Sequence, residues 1–344
     1  MIKRTLHFGN PAYLSLQQDQ LLIDLPHLKE LGEKESKKSV PIEDIGIVLL
    51  DHKQITITHG CMAALLENNA AIITCNHTHH PTGMMLPIDG HDVQSERFRY
   101  QIDASQPLKK QLWQQTVQAK IMNQAAVLAE RDIEHENMLY WARSVRSGDP
   151  DNYEGRAAAY YWKNVFPKKI EFFRGHEGDP PNNLLNYGYA ILRAIVARGL
   201  VCSGLLPTLG IHHRNKYNAY CLADDIMEPY RPYVDRIVLK IIDKGENFLE
   251  LGTSIKAQLL GIATVDVQFE KGTSPLMVGL QSTTSSLAKC YEGTLRRINY
   301  PAIKRFNPRL KAIYDDSTDE FEARAADEPM EYKNSTNHDD ALPF

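Results

Sequence analysis

The sequence predicts an α+β fold: a small sheet-built domain over residues 1–90, a larger all-α domain over 91–314, and an acidic tail over 315–344. Three observations carry this expectation. Short β-prone runs separated by turn residues fill the first ninety positions. Apolar residues fall at helical spacing from about Ser95 onward. The charge balance changes sharply after Tyr314.

In the first part, Thr5 to Phe8, Gln20 to Leu25, Ile45 to Leu50, Ile55 to Thr58 and Ala70 to Thr74 read as strands. Gly9-Asn10-Pro11, Asp51-His52-Lys53 and Asn76-His77 supply turn chemistry between them. Ile55 and Ile57 alternate with Thr56 and Thr58, the pattern of a strand with one buried face. Gly60 to Asn68 reads as a short helix through Cys61, Ala64 and Leu65. Leu86-Pro87-Ile88-Asp89-Gly90 has the composition of a linker.

In the second part, Leu112, Val117, Ile121, Ala125 and Leu128 predict a helix over Leu108 to Glu136, with Gln, Lys and Glu between the apolar positions. Further helices are expected over Glu154–Phe166, Leu184–Ser203, Asp225–Lys244, Ile255–Leu260 and Pro275–Arg297. The most apolar stretch, Ala190 to Ile211, is interrupted by Arg193 and Arg198 and reads as a buried helix, not a membrane span.

The tail holds ten acidic and two basic residues, a net −8 against −4 for the whole chain, which leaves a mildly basic body of about +4. With few apolar residues, the tail is expected to be disordered. Five cysteines without a CxxC pair suit a reducing cytoplasm and argue against a disulfide scaffold or a zinc ribbon. The opening residues Met1 to His7 have no apolar run behind their charges, so a secretory signal is not expected. Phosphate-loop, GxGxxG and GxSxG patterns are absent, which removes the usual signals of nucleotide hydrolysis, dinucleotide redox and serine hydrolysis. Cys75, His77, His79 and His80 offer metal-ligand types within six residues, but one short loop closes a tetrahedron only with strain, so an exposed turn is expected.

Three segments carry candidate chemistry. Glu154 opens a predicted helix in Asp151-Asn152-Tyr153-Glu154-Gly155-Arg156, followed by small residues at 157–159. Asp151 and Glu154 have capping-box spacing, so a purely structural role is equally available to Glu154. Asn186 and Tyr187 sit in an Asn-rich helix start, able to orient a carboxylate or to fix helix contacts. Gly210-Ile211-His212-His213-Arg214-Asn215-Lys216 precedes Asp224-Asp225-Ile226-Met227-Glu228-Pro229-Tyr230-Arg231. Asp225 and Glu228 share a helix face, though Asp224 or Asp225 also suits a helix cap. Two carboxylates and an imidazole suit Mg²⁺ or Mn²⁺, and Arg156, Arg214, Lys216 and Arg231 are the types that hold backbone phosphates. On residue chemistry alone, His212 and His213 are equivalent.

These runs, with Asn183 to Tyr189, Leu206 to His213, Leu222 to Pro232, Thr5 to Pro11 and Pro41 to Gly46, resemble the CRISPR-associated spacer-acquisition integrase family over residues 1 to about 300. The resemblance is to the large, metal-dependent subunit of the adaptation complex, in its type II-like variant. It implies Glu154, His213 and Glu228 as catalytic metal ligands, with Asp225 in support and His212 adjacent. Many relatives carry Asp where this chain has Glu228, whose longer arm alters the geometry. It also implies a β-sandwich-like dimerisation domain, a helical catalytic domain, and a homodimer that joins a small ferredoxin-like subunit in a heterohexamer. The implied reaction inserts captured double-stranded DNA fragments into a CRISPR array by 3′-OH transesterification at the repeat. Whether an RNA-guided effector nuclease and a DNA-end-binding accessory ring join the complex stays open. Two rivals remain: a repair nuclease acting on branched DNA, and a non-catalytic DNA-bridging subunit whose acidic residues only cap helices.

Overall fold

The computed structural model describes residues 3–26, 37–175 and 178–304; the acidic tail expected over 315–344 lies outside them. The architecture is mixed α and β. Strands β1 (Arg4–Phe8), β5 (Ile45–Leu50), β7 (Ala71–Cys75) and β8 (Pro81–Met85) form one four-stranded sheet in the order β1-β5-β7-β8. The first three strands are parallel and β8 is antiparallel. A second sheet runs β4-β3-β2-β6, from β2 (Ala12–Gln17), β3 (Gln20–Asp24), β4 (Lys37–Pro41) and β6 (Ile55–Ile57).

Among these, β2, β4 and β8 were not expected from the sequence. The β2–β3 hairpin turns on Gln18 and Asp19 at φ 49° and 56°, left-handed positions that lack the usual Gly or Asn signal. A small core lies between the sheets and helix α1 (His59–Glu67), from Phe8, Leu14, Leu21, Ile23, Val40, Ile45, Val48, Cys61, Leu65 and Ile72. Strand β5 is buried on both faces, as its continuous apolar run requires. Pairing with β1 slips at Gly46, so Ile45 and Val48 face this core while Ile47 and Leu49 face the helices. A side chain at Gly46 would place its Cβ 2.7 Å from Met277 Sδ and 3.0 Å from Lys3 Cβ.

The remaining elements are α2 (Gln94–Ile102), α3 (Gln106–Glu130), α4 (Glu136–Ser144), α5 (Tyr153–Asn164), α6 (Asn182–Cys202), α7 (Cys221–Met227), α8 (Arg231–Asp243), α9 (Thr253–Leu260), β9 (Asp266–Phe269), β10 (Gly272–Pro275) and α10 (Leu276–Tyr291). The β9–β10 hairpin corrects the all-α expectation for residues 91–314. Val267 and Phe269 alternate with exposed Asp266 and Gln268, a pattern too short to register beside the helices. The helix expected over 108–136 ends at Glu130, and Asp132 takes φ 55° before α4 begins. The helix expected over Asp225–Lys244 is two helices joined by a 3-10 turn, Glu228–Tyr230. Pro229 has no N–H to continue α7, while Pro232 is tolerated in the first turn of α8.

Helix α6 is the axis of the large core. It is long and apolar enough to cross a membrane by length and composition, yet most of it is buried inside the protein. Ile47, Leu49, Ala71 and Ile73 of the first sheet belong to the same core as the helices. Buried polar ties reinforce the join. Arg198 of α6 donates to the Asn69 carbonyl at 2.5 Å, and Lys256 of α9 pairs with Asp51 at 2.9 Å.

Candidate active site

The long helix α3 supplies one wall of the site through Gln106, Trp113 and Lys120, seven residues apart and therefore on one face. Each meets a different part of the opposing loop and helices. Gln106 Oε1 accepts from Arg214 Nη2 at 2.6 Å. Trp113 stacks on His212 at 4.1 Å and 4°, and meets His213 edge-on at 5.7 Å. Lys120 Nζ lies 2.7 Å from Glu154 Oε1 and 2.6 Å from Glu228 Oε2.

Glu154 enters from the first turn of α5. The capping-box alternative fails here because other residues cap this helix. Asn152 Oδ1 accepts from Gly155 N at 3.2 Å, and Asp149 accepts from Tyr153 N and Glu154 N at 3.0 and 2.9 Å. Asp151 is turned outward onto Arg146. The Glu154 carboxylate is thus free to face Lys120.

Glu228 enters from the 3-10 turn that Pro229 enforces, and is buried. Its Oε1 is 2.9 Å from Arg231 Nε, and Arg231 lies over the Tyr189 ring at 4.8 Å. Burial would raise the Glu228 pKa, but the charges of Arg231 and Lys120 outweigh it and lower it to about 2. Lys120 is held charged in the same way: burial opposes the ammonium, and Glu154 and Glu228 more than offset that.

His213 is fixed by Asp225. Its Nδ1 is 2.5 Å from Asp225 Oδ1, and its backbone N–H donates to the same oxygen at 3.2 Å. The second oxygen accepts from Ile211 N and His212 N at 2.7 and 2.9 Å. Burial would lower the His213 pKa, but the Asp225 hydrogen bond and charge, with Glu228 and Glu154, raise it to about 9. The histidine loop folds this tightly over Gly210, where a Cβ would strike the His213 carbonyl and sit 2.8 Å from Asp225 Oδ2. Asp225 therefore does not cap its own helix, and α7 begins four residues earlier, at Cys221. Asp224, next to it, takes Arg193 at 2.6 Å and Asn218 at 2.6 Å.

The other sequence candidates separate by position. Arg156, Arg214 and Lys216 are exposed, with Arg156 over Tyr153 and Lys216 over Tyr217. Arg231 is instead drawn inward as a counter-ion to Glu228. Asn186 is buried on α6, one turn before Tyr189, whose ring lies under Arg231. The Cys75–His80 segment is a turn between β7 and β8. His79 reaches back to Asp51 at 2.8 Å, and His7 and Lys256 hold the same carboxylate. Lys120, Asp149 and Trp113 were missed in the sequence; the heptad spacing of 106, 113 and 120 is the signal that points to two of them.

Among the described residues, no three His, Cys, Asp or Glu side chains converge as a ready-made metal group. The reason is visible: the two glutamates converge on an ammonium, and His213 turns one nitrogen to Asp225. The donor set nonetheless fits a hard divalent ion. Two carboxylates from separate elements already meet one cation, and Asp225 at Nδ1 leaves the His213 Nε2 without a partner among the described residues.

The profile of the family "CRISPR associated protein Cas1" matches residues 7–250. The chain belongs to the Cas1 family. A Cas1 relative from Neisseria meningitidis serogroup C, named a CRISPR-associated endonuclease, is 37% identical over 288 residues, 83% of this chain and 91% of the relative. A second Cas1 endonuclease, from Pyrobaculum aerophilum, is 29% identical over 272 residues, 74% of this chain and 90% of its own. The fold is shared with a casposase bound to its integration product, with TM-score 0.70 at 19% identity over 92% of this chain and all of that one. A Cas1 protein from Thermotoga maritima has the same fold, with TM-score 0.64 at 14% identity over 88% of this chain and all of that one.

Proposed function

We propose that this Cas1 chain is a metal-dependent DNA endonuclease and integrase that inserts captured fragments into a CRISPR array. The observation that carries the reading is the meeting of Glu154 and Glu228 on a single cation beside an Asp225-anchored His213. Helix capping does not explain these acids, because Asp149 and Asn152 cap α5 and, among the described residues, neither glutamate side chain bonds a helix-end amide. That weighs against a bridging subunit without catalysis.

Glu154, Glu228 and the His213 Nε2 would hold Mg²⁺ or Mn²⁺. Such an ion supplies charge stabilisation at the phosphate and a more acidic attacking hydroxyl. The residues do the rest. Asp225 keeps the His213 ring in one orientation, with Nδ1 occupied and Nε2 aimed away from it. Arg156, Arg214 and Lys216 are exposed cations able to position backbone phosphates. In the joining step, a fragment 3′-oxygen forms a bond to phosphorus at the repeat while the array strand's 3′-oxygen leaves. One P–O bond replaces another, and the proton of the attacking hydroxyl ends on the leaving oxygen, so no nucleotide cofactor is consumed. Water in place of the 3′-hydroxyl gives endonuclease cleavage at the same site.

We read the two-sheet unit over residues 1–90 as the β-sandwich-like dimerisation domain and residues 91–314 as the catalytic domain. A homodimer, a small ferredoxin-like subunit completing a heterohexamer, and a cytoplasmic setting go with this reading. One solved neighbour is a complex of Cas6-RT-Cas1 with Cas2, in keeping with a small partner. The test is an integration assay with the purified protein, the small subunit, a 3′-OH-ended fragment and a repeat-bearing plasmid. Joined product is expected with Mn²⁺ and lost by at least 100-fold in EDTA, in Glu154→Gln and in His213→Ala. Joining that persists in those three would reject the site.

A further inference from the structure

The feature that the proposed chemistry leaves unused is Lys120. Its side chain is 12% exposed, and its ammonium sits 2.7 Å from Glu154 and 2.6 Å from Glu228, between α5 and the turn that ends α7. With Arg231 on the other Glu228 oxygen, two carboxylates are already matched by two cations. Oxygens at such distances from an ammonium are those a hard divalent ion would use, and two cations cannot share them without strong mutual repulsion.

We propose that Lys120 is an internal counter-ion of the metal-ligand carboxylates, and that a divalent ion binds by exchanging the Lys120 ammonium off Glu154 and Glu228. Without that ammonium, the buried Glu228 carboxylate and the half-buried Glu154 carboxylate would be left with only Arg231 to offset them, so Lys120 keeps the site assembled until metal arrives. The Glu228 Oε2 contact fits an exchangeable partner. It is a close ion pair, but among the described residues this buried oxygen receives no well-directed hydrogen bond. Exchange frees one ammonium beside the metal, on the α3 face that also carries Trp113 and Gln106, where an incoming phosphate needs positive charge. No bond is made or broken in this step; one cation replaces another.

The inference rests on the proposed metal site, and its test separates the two. Mn²⁺ binding is measured by isothermal titration on full-length wild type, Lys120→Met, Glu154→Gln and Glu228→Gln. In parallel, reductive methylation of Lys120 in the wild type is followed by mass spectrometry with and without saturating Mn²⁺. Exchange predicts that Lys120→Met binds Mn²⁺ at least tenfold tighter, with a lower melting temperature in EDTA that Mn²⁺ restores. It also predicts that Mn²⁺ speeds methylation of wild-type Lys120 severalfold, a readout that stands even where Lys120→Met does not fold. Unchanged or weaker Mn²⁺ affinity in Lys120→Met, or Lys120 equally or better protected with Mn²⁺, overturns the exchange and leaves the metal site intact. Mn²⁺ affinity that survives in both glutamate variants overturns the site and the exchange together.

Discussion

Asp225 accepts four donors on two oxygens, and three of them are the amides of the histidine loop. Asparagine at this position keeps the size but turns an NH₂ toward N–H groups, leaving at least one buried donor unmatched. Asp225→Asn is therefore expected to cost about 3 kcal/mol of stability, read by urea unfolding. The same change alters pH dependence. The His213 pKa of about 9 lies above the unfolded value of 6.5. In EDTA this group's stabilisation is thus full below about pH 6.5 and is lost as pH rises toward 9. Metal at Nε2 must displace that proton, so wild-type Mn²⁺ affinity should climb by up to about tenfold per pH unit from 7 to 9. In Asp225→Asn the climb should flatten at a lower pH; an identical profile would separate Asp225 from the histidine. The residue types of the triad were readable in the sequence, but the choice between His212 and His213 was not. The structure distinguishes their surroundings, His212 stacked on Trp113 and His213 held by Asp225, through contacts that no spacing rule encodes.

At the scale of elements, α5 matters because its cap does not use Glu154, whose carboxylate meets Lys120 instead. Asp149 accepts two first-turn amides, so Asp149→Ala should cost about 1–2 kcal/mol. It should also weaken Mn²⁺ binding if the Glu154 carboxylate turns back to its own orphaned amide and away from the site. Loss of stability with unchanged Mn²⁺ affinity would confine Asp149 to a structural role. The sequence suggested Asp151 as the cap because its spacing to Glu154 is right. Arg146 draws Asp151 outward instead, a tertiary contact invisible to a capping rule. The break between α7 and α8 follows from Pro229 and was legible only in part, since a proline near a helix start reads as tolerated. Lys120 was hidden for a different reason. A lysine among the polar positions of an amphipathic helix looks solvated, and only the opposing acids, 34 and 108 positions away in sequence, draw it inward.

At the scale of the whole molecule, the first sheet is a shared wall. One face closes the small core with the second sheet, and the other buries Ile47, Leu49, Ala71 and Ile73 with the helices. The polar Asp51 cluster seals that junction, with burial opposing the charged carboxylate and His7, Lys256 and His79 holding its pKa well below the usual range. The change from strand to helix near residue 90 was plain in the sequence because periodicity is local. The double-sided burial of β5 and the β9–β10 hairpin depend on what packs against them, and so were not. The architecture places α5, the histidine loop and the α7–α8 turn against a single face of α3, and the proposed chemistry depends on that meeting. Anomalous scattering at the manganese edge from crystals soaked in Mn²⁺ tests it most directly. A single strong peak within coordination distance of Glu154, Glu228 and His213 Nε2 is expected; a peak elsewhere, or none at these three residues in Mn²⁺-saturated crystals, would contradict the assignment.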